Sequence, residues 1–175
     1  LISFLPGSRK SEIKKHFDII YQTIVNINNK YPNCGFLIAL ANKDHLLPEI
    51  DEKISELIKK GINLKIKISK TYDCIISSDI VAVCSGTATL EVGLLGTPMV
   101  VFYKLSFLSY LIIRALILVK YISLVNLILD KKIVSELVQQ KMNSKNLTHE
   151  IEILINSELE RNRQIQGFAE LRKKL

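Results

Sequence analysis

Short apolar runs alternate with helical periodicity along most of this chain, and that alternation limits the folds open to it. The runs are 1–5, 36–41, 63–68, 80–84 and 98–103, each with the length of a buried strand. Between the first two, Ile13, Phe17, Ile20, Ile24 and Ile27 recur at spacings of four, three, four and three, which predicts a helix over 11–28 with one buried face. Ile50, Ile54, Leu57 and Ile58 predict a second helix over 47–60, stopped by Gly61. Shorter helices are expected over 72–78 and 87–95, the latter closed by Gly96. In the run 63–68, Leu64, Ile66 and Ile68 alternate with Lys65 and Lys67, so one face of that strand is wetter. Alternation at this spacing predicts an α/β fold, a Rossmann-like parallel sheet with helices on both faces. Beyond Asn126 the pattern turns helical, with helices expected over roughly 132–141, 147–155 and 158–174, a tail from about 130 to 175. No internal repeat or low-complexity linker divides residues 1–175, so they read as one lobe.

Ligands of such sheets bind at the C-terminal strand ends. Two loops there carry phosphate-binding signatures, Pro6-Gly7-Ser8-Arg9 and Ser85-Gly86-Thr87-Ala88-Thr89-Leu90-Glu91. Each hands a strand over to a helix, whose first N–H groups lack intrahelical acceptors and whose dipole favours an anion. Gly86 lets backbone approach a ligand closely, and Ser85 or Thr87 can cap the helix. Glu91 lies four residues after Thr87, one turn deeper on the same face, where a carboxylate can accept hydrogen bonds from two ribose hydroxyls. Spacing alone equally admits a capped helix with Glu91 in solvent. Arg9 offers a planar fork of donors suited to phosphate and able to neutralise charge on a departing diphosphate. By itself it also fits a surface arginine in a first helical turn. Gly93, Gly96 and Pro98 read as structural, permitting close helix packing and a tight turn. Asn126, Glu136 and Gln139 form a polar set after an apolar stretch; Glu136 and Gln139 share a face of the helix expected over 132–141. For these three, spacing alone favours a turn residue and a solvated face.

A formal charge of +7 favours an anionic partner. Nucleic acid is not expected, because the lysines are dispersed and no aromatic-rich reading strand accompanies them. Cys34, Cys74 and Cys84 are isolated, which fits a reducing cytoplasm better than a disulfide framework. His16, His45 and His149 are scattered, so no metal site is expected. The stretch 105–129 is very apolar, but Arg114 and Lys120 interrupt it; it reads as a buried or membrane-facing helix and its flank rather than a span. No signal peptide is visible, and the chain opens at Leu1 already inside a strand, so a preceding segment is expected.

In these elements the chain resembles the C-terminal half of the lipid-A-disaccharide synthases, GT-B-type glycosyltransferases of the Gram-negative outer-membrane pathway. The resemblance runs through L-P-G-S-R-x-x-E-I (Leu5 to Ile13), S-G-T-A-T-L-E (Ser85 to Glu91) and G-T-P-M-V-V-x-Y-K (Gly96 to Lys104). It continues through the element around Leu124, Asn126 and Ile128 to E-L-x-Q (Glu136 to Gln139). The combination of the second and third motifs is specific; either alone is not.

The resemblance implies the C-terminal, donor-binding lobe of a GT-B fold. It implies transfer of 2,3-diacylglucosamine from its UDP derivative to 2,3-diacylglucosamine 1-phosphate with inversion, giving lipid A disaccharide 1-phosphate and UDP. No metal or cofactor is implied, and the site of action is the cytoplasmic face of the inner membrane, with the protein peripheral to the lipid surface. By the same resemblance Gly7, Ser8 and Arg9 contact the diphosphate, with Arg9 stabilising the leaving group. Ser85, Gly86, Thr87 and Thr89 belong to the second phosphate loop, Glu91 holds the ribose, and Asn126, Glu136 and Gln139 line the donor cleft. Val125 and Ser135 stand where the family usually has proline, which removes two backbone restraints and is expected to loosen the donor loop. The acceptor half, with the general base, is expected outside these residues, in cis or in trans, and the segment alone is not expected to turn over. Two alternatives stay open. One is another UDP-sugar enzyme of this architecture, a peptidoglycan-precursor glucosaminyltransferase or an epimerase. The other is a non-catalytic fragment held at a membrane by Lys104, Arg114 and Lys120.

Overall fold

A computed structural model describes residues 1–104 and 120–175. Six strands make one sheet: β1 (Ile2–Leu5), β2 (Phe36–Leu40), β3 (Leu64–Ile68), β4 (Ile80–Cys84), β5 (Met99–Tyr103) and β6 (Ser135–Val138). All pairings are parallel, in the order β3-β2-β1-β4-β5-β6. Among the described residues the α-helices are α1 (Lys10–Lys30), α2 (Pro48–Lys59), α3 (Thr71–Ser77), α4 (Thr87–Leu95), α5 (Leu124–Leu129), α6 (Ser144–Asn156) and α7 (Glu158–Lys174).

The register shows why the strands read as unbroken apolar runs. Ile38, Phe4, Ala82 and Val100 lie side by side and face one helical layer; Leu37, Ser3, Val81 and Met99 face the other. A parallel sheet covered on both faces needs apolar residues at both alternations. The first layer is α1, α2 and α6, through residues such as Phe17, Ile54 and Ile151. The second is α3, α4, α5 and α7, through Ile75, Val92, Val125 and Phe168. Each large side chain enclosed this way contributes roughly 1.5–3 kcal/mol, so Phe4, Phe17, Phe36, Phe102 and Phe168, all fully buried, anchor the layers. At the β3 edge, Lys65 and Lys67 are exposed and protect the open ladder from further pairing.

The tail differs from the helical expectation. Residues expected to be helical over 132–141 form β6, a strand added beside β5 from Val100↔Ser135 to Tyr103↔Val138, followed by a 3-10 turn at Gln139–Lys141. Strand pairing satisfies the backbone here, and four residues are too few to display their own periodicity. Glu136 and Gln139 therefore share no helix face. Asn126 lies inside the short helix α5, whose N-cap Ser123 accepts from the Asn126 N–H, rather than in a turn.

The helices expected over 147–155 and 158–174 are present as α6 and α7. Gln164 of α7 grips the start of β5, accepting from Met99 N–H at 2.8 Å and donating to Met99 C=O at 3.2 Å. Of the apolar stretch 105–129, residues 105–119, with Arg114, lie outside the described residues. Among the described residues no helix is long and apolar enough to cross a membrane, and no group of three potential metal ligands occurs.

Candidate functional site

β1 and β4 are sequence-distant neighbours at the centre of the sheet, where the chain stops building towards β3 and starts building towards β6. Loops leaving the C-terminal ends of such strands diverge and open a crevice. Here the crevice has a volume of about 400 Å³. Gly7, Ser8 and Arg9 line it from the β1 loop, Ser85, Gly86, Thr87, Ala88 and Glu91 from the β4 loop, with Glu12, Cys84 and Tyr103 between them. Both loops thus share one cavity, and Arg9 and Glu91 both reach it. The side chains of Arg9 and Glu91 are exposed at its walls, while Cys84 is buried beside the β1 loop.

Backbone shape explains each loop. Gly86 is at φ 155° as the N-cap of α4, and a Cβ there would meet nothing within 4 Å, so this stretch of main chain is open to a ligand. Thr87 and Ala88 are the first two residues of α4, and their N–H groups have no intrahelical acceptor. Gly7 is at φ 127°, and a Cβ there would lie 2.8 Å from Glu12 Oε2, so the β1 loop closes tightly on that carboxylate. Glu12 Oε2 accepts from the Ser8 and Arg9 N–H groups at 3.2 and 3.3 Å. Glu12 Oε1 accepts from Arg9 Nη1 at 3.0 Å and from the Tyr103 hydroxyl at 3.3 Å. The motif L-P-G-S-R-x-x-E-I contains Glu12, yet sequence reasoning gave it no role. Its signal is the spacing: an acid at the third helical position reaches back to the helix N-terminus.

Other predicted residues have different occupations. The Ser85 hydroxyl donates to the Ile122 carbonyl at 2.7 Å, tying the β4 loop to the approach to α5. Thr89 is buried; its hydroxyl donates to Gly86 C=O at 2.8 Å, accepts from Leu124 N–H at 3.3 Å, and does not line the cavity. Asn126 and Glu136 form a network of their own. Glu136 Oε1 accepts from Asn126 Nδ2 and from the Ser123 N–H and hydroxyl, and Oε2 accepts from Ile122 N–H, all at 2.8–2.9 Å. Asn126, fully buried, also accepts from Ile133 and Val134 N–H and donates to Val134 C=O. This pair pins residues 122–126 onto β6, at the two positions flanked by Val125 and Ser135 in place of proline. Asn126, Glu136 and Gln139 are absent from the walls of the cavity. Gln139 sits at φ 53° where β6 ends.

Electrostatics at the cavity floor follow from burial. Burial first, then the Glu12 carboxylate, push the Cys84 thiol up to about 12, so it stays protonated at neutral pH. The same two causes, in that order, raise the Tyr103 hydroxyl, which keeps it a donor. His16, buried behind the loop, is joined to Pro6 C=O at 2.7 Å and Lys104 N–H at 3.2 Å, and burial lowers its pKa.

Solved structures of like fold include Staphylococcus aureus MnaA with UDP, at a TM-score of 0.64 and 12% identity over 98% of this chain and 43% of that one. A UDP-GlcNAc 2-epimerase from Neisseria meningitidis bound to UDP-GlcNAc gives a TM-score of 0.62 and 16% identity, over 98% of this chain and 43% of that one. Sequence relatives are nearer. The lipid-A-disaccharide synthase of Acinetobacter baylyi is 37% identical over 176 residues, covering 96% of this chain and 44% of the relative. That of Syntrophus aciditrophicus is 37% identical over 177 residues, covering 99% of this chain and 45% of the relative. The chain thus spans less than half the length of these curated relatives. The family described as lipid-A-disaccharide synthetase matches residues 1–174, and the chain belongs to that family.

Proposed function

We propose that this chain is the donor-binding lobe of a lipid-A-disaccharide synthase. In the complete enzyme it holds a UDP-linked 2,3-diacylglucosamine for transfer to 2,3-diacylglucosamine 1-phosphate, at the cytoplasmic face of the inner membrane. The observation that carries this reading is the single cavity onto which Arg9, the N-terminus of α4 and Glu91 all open. The diphosphate rests against the Thr87 and Ala88 N–H groups, where backbone donors and the helix dipole favour an anion. Arg9 faces it across the crevice and takes up charge as the glycosidic bond to UDP breaks. Glu91, one turn into α4, accepts the ribose hydroxyls. Ser8 adds a hydroxyl at the same wall, while Ser85, Thr89, Asn126 and Glu136 hold the surrounding loops in place. The acceptor and the general base belong to the other half of the enzyme, so this segment binds donor without turning it over.

Isothermal titration with UDP at low salt tests the reading. Binding is expected, and it weakens as salt rises because the contacts are ionic. Glu91→Gln, which exchanges a charged acceptor for a neutral one, is expected to weaken UDP binding by about five- to tenfold. Absence of UDP binding at low salt, or no effect of Glu91→Gln, refutes the assignment. Competition between acylated and plain UDP-glucosamine then reports whether the lobe also recognises the acyl chains.

A further inference from the structure

The two helix N-termini at the cavity are not equivalent. At α4 the first N–H groups belong to residues that line the cavity, and helix geometry leaves them without intrahelical acceptors. At α1 the corresponding place is filled by the chain's own anion. Four donors converge on the Glu12 carboxylate: the Ser8 and Arg9 N–H groups, Arg9 Nη1 and the Tyr103 hydroxyl. That is the set of contacts a phosphate loop offers to a bound phosphate. The pair is also unequal in exposure: the Glu12 side chain is 13% exposed and that of Arg9 75% exposed. Glu12 is enclosed by the loop folded round it, and Arg9 lies at the solvent side of the pair.

We propose that Glu12 is a built-in anion that positions the β1 loop and holds Arg9 in reserve. The donor's diphosphate binds at the open N-terminus of α4 and draws the Arg9 guanidinium away from Glu12 Oε1, while Oε2 keeps the Ser8 and Arg9 amides. This rests on the donor-site reading above. The exchange is cheap, because an ion pair with so exposed an arginine contributes little to stability. It also gives the site a reason to release product. The carboxylate competes with the diphosphate for Arg9, so UDP is held less tightly than a freed Arg9 would hold it. Glu12 is thus a positioning residue that sets the strength of diphosphate binding through Arg9.

A double-mutant cycle on the 175-residue chain tests this, with UDP as the probe, titrated at low and high salt. Glu12→Gln keeps an acceptor for the loop amides but removes the charge. It is expected to tighten UDP binding by about three- to tenfold, with the larger gain at low salt. In an Arg9→Met background that gain is expected to vanish, because the two residues act as one unit. A merely structural cap predicts the opposite, weaker binding in Glu12→Gln whether or not Arg9 is present. Equal or weaker binding by a folded Glu12→Gln, or a gain that survives Arg9→Met, overturns the proposal while leaving the donor site standing. If the unaltered chain binds no UDP, the donor-site reading falls and this one with it. Should Glu12→Gln fail to fold, Glu12→Ser, which carries no charge to hold Arg9, replaces it: the same gain is expected, and its absence from a folded chain overturns the proposal.

Discussion

His16 is bound in a way that only the neutral ring satisfies. A carbonyl can only accept, so Nδ1–H donates to Pro6 C=O, and Nε2 must accept from the Lys104 N–H. A second proton would set two donors against each other in a fully buried place. Burial lowers the pKa from 6.5, and the Pro6 carbonyl and the Glu12 carboxylate oppose that shift without overcoming it. The sign of the pH effect follows. Above the ordinary value of about 6.5 neither the folded nor the unfolded chain is protonated here, and the full stability is present. As pH falls below that value the unfolded chain takes the proton first, so stability declines until the folded pKa is passed. Thermal melts between about pH 7.5 and 5.5 are expected to show this decline. His16→Gln, an amide with one donor and one acceptor to span the same two groups, is expected to flatten it. Nothing in the sequence marked His16 beyond its place in the helical pattern, because its partners are backbone groups brought together only by the fold.

Elements that bury a whole face were legible in the sequence, and those held by specific polar contacts were not. α1 announced itself through Ile13, Phe17, Ile20, Ile24 and Ile27, all buried, and α4 ends on Gly96 in the left-handed conformation as its cap. β6 was read as helix because Ser135, Glu136, Leu137 and Val138 carry no clear alternation; its partner β5 and the Asn126–Glu136 network decide its state. Where proline was expected at 125 and 135, the side-chain hydrogen bonds of that network restrain the chain instead. Glycine in α7 gives a test at this scale. Gly167 packs so closely on Ile133 that an added Cβ would lie 2.5 Å from its Cγ2 and 2.9 Å from its Cδ1. Gly167→Ala is therefore expected to destabilise the fold by about 1–3 kcal/mol despite alanine's better helix propensity. Chemical denaturation measures it, and Ile133→Ala in the same chain is expected to recover part of the loss. A stabilised Gly167→Ala chain would show that α7 is not held so close.

Across the whole molecule, the parallel sheet and the cavity's position at its C-terminal edge were implied by strand–helix alternation, whereas the division of labour among the polar residues was not. The family resemblance implied that Asn126 and Glu136 line the donor cleft, while spacing alone favoured a turn residue and a solvated face; the fold spends them on its own backbone. A ligand held between the β1 and β4 loops joins the two halves of the sheet, so UDP is expected to protect all of it at once. At a hundredfold excess over Kd the unfolding free energy is expected to rise by about 2.7 kcal/mol. Denaturant melts followed by far-ultraviolet circular dichroism check this, and a single cooperative transition shifted by UDP is the expected result. The position of β1 between β2 and β4 carries a broader consequence. A chain that winds outward to β3 and then returns past its own beginning leaves a notch at the point of reversal, whatever side chains it carries. The fold therefore guarantees the berth, and a handful of residues on two short bends choose the guest; exchanging those bends is a shorter evolutionary step than inventing a new receptacle.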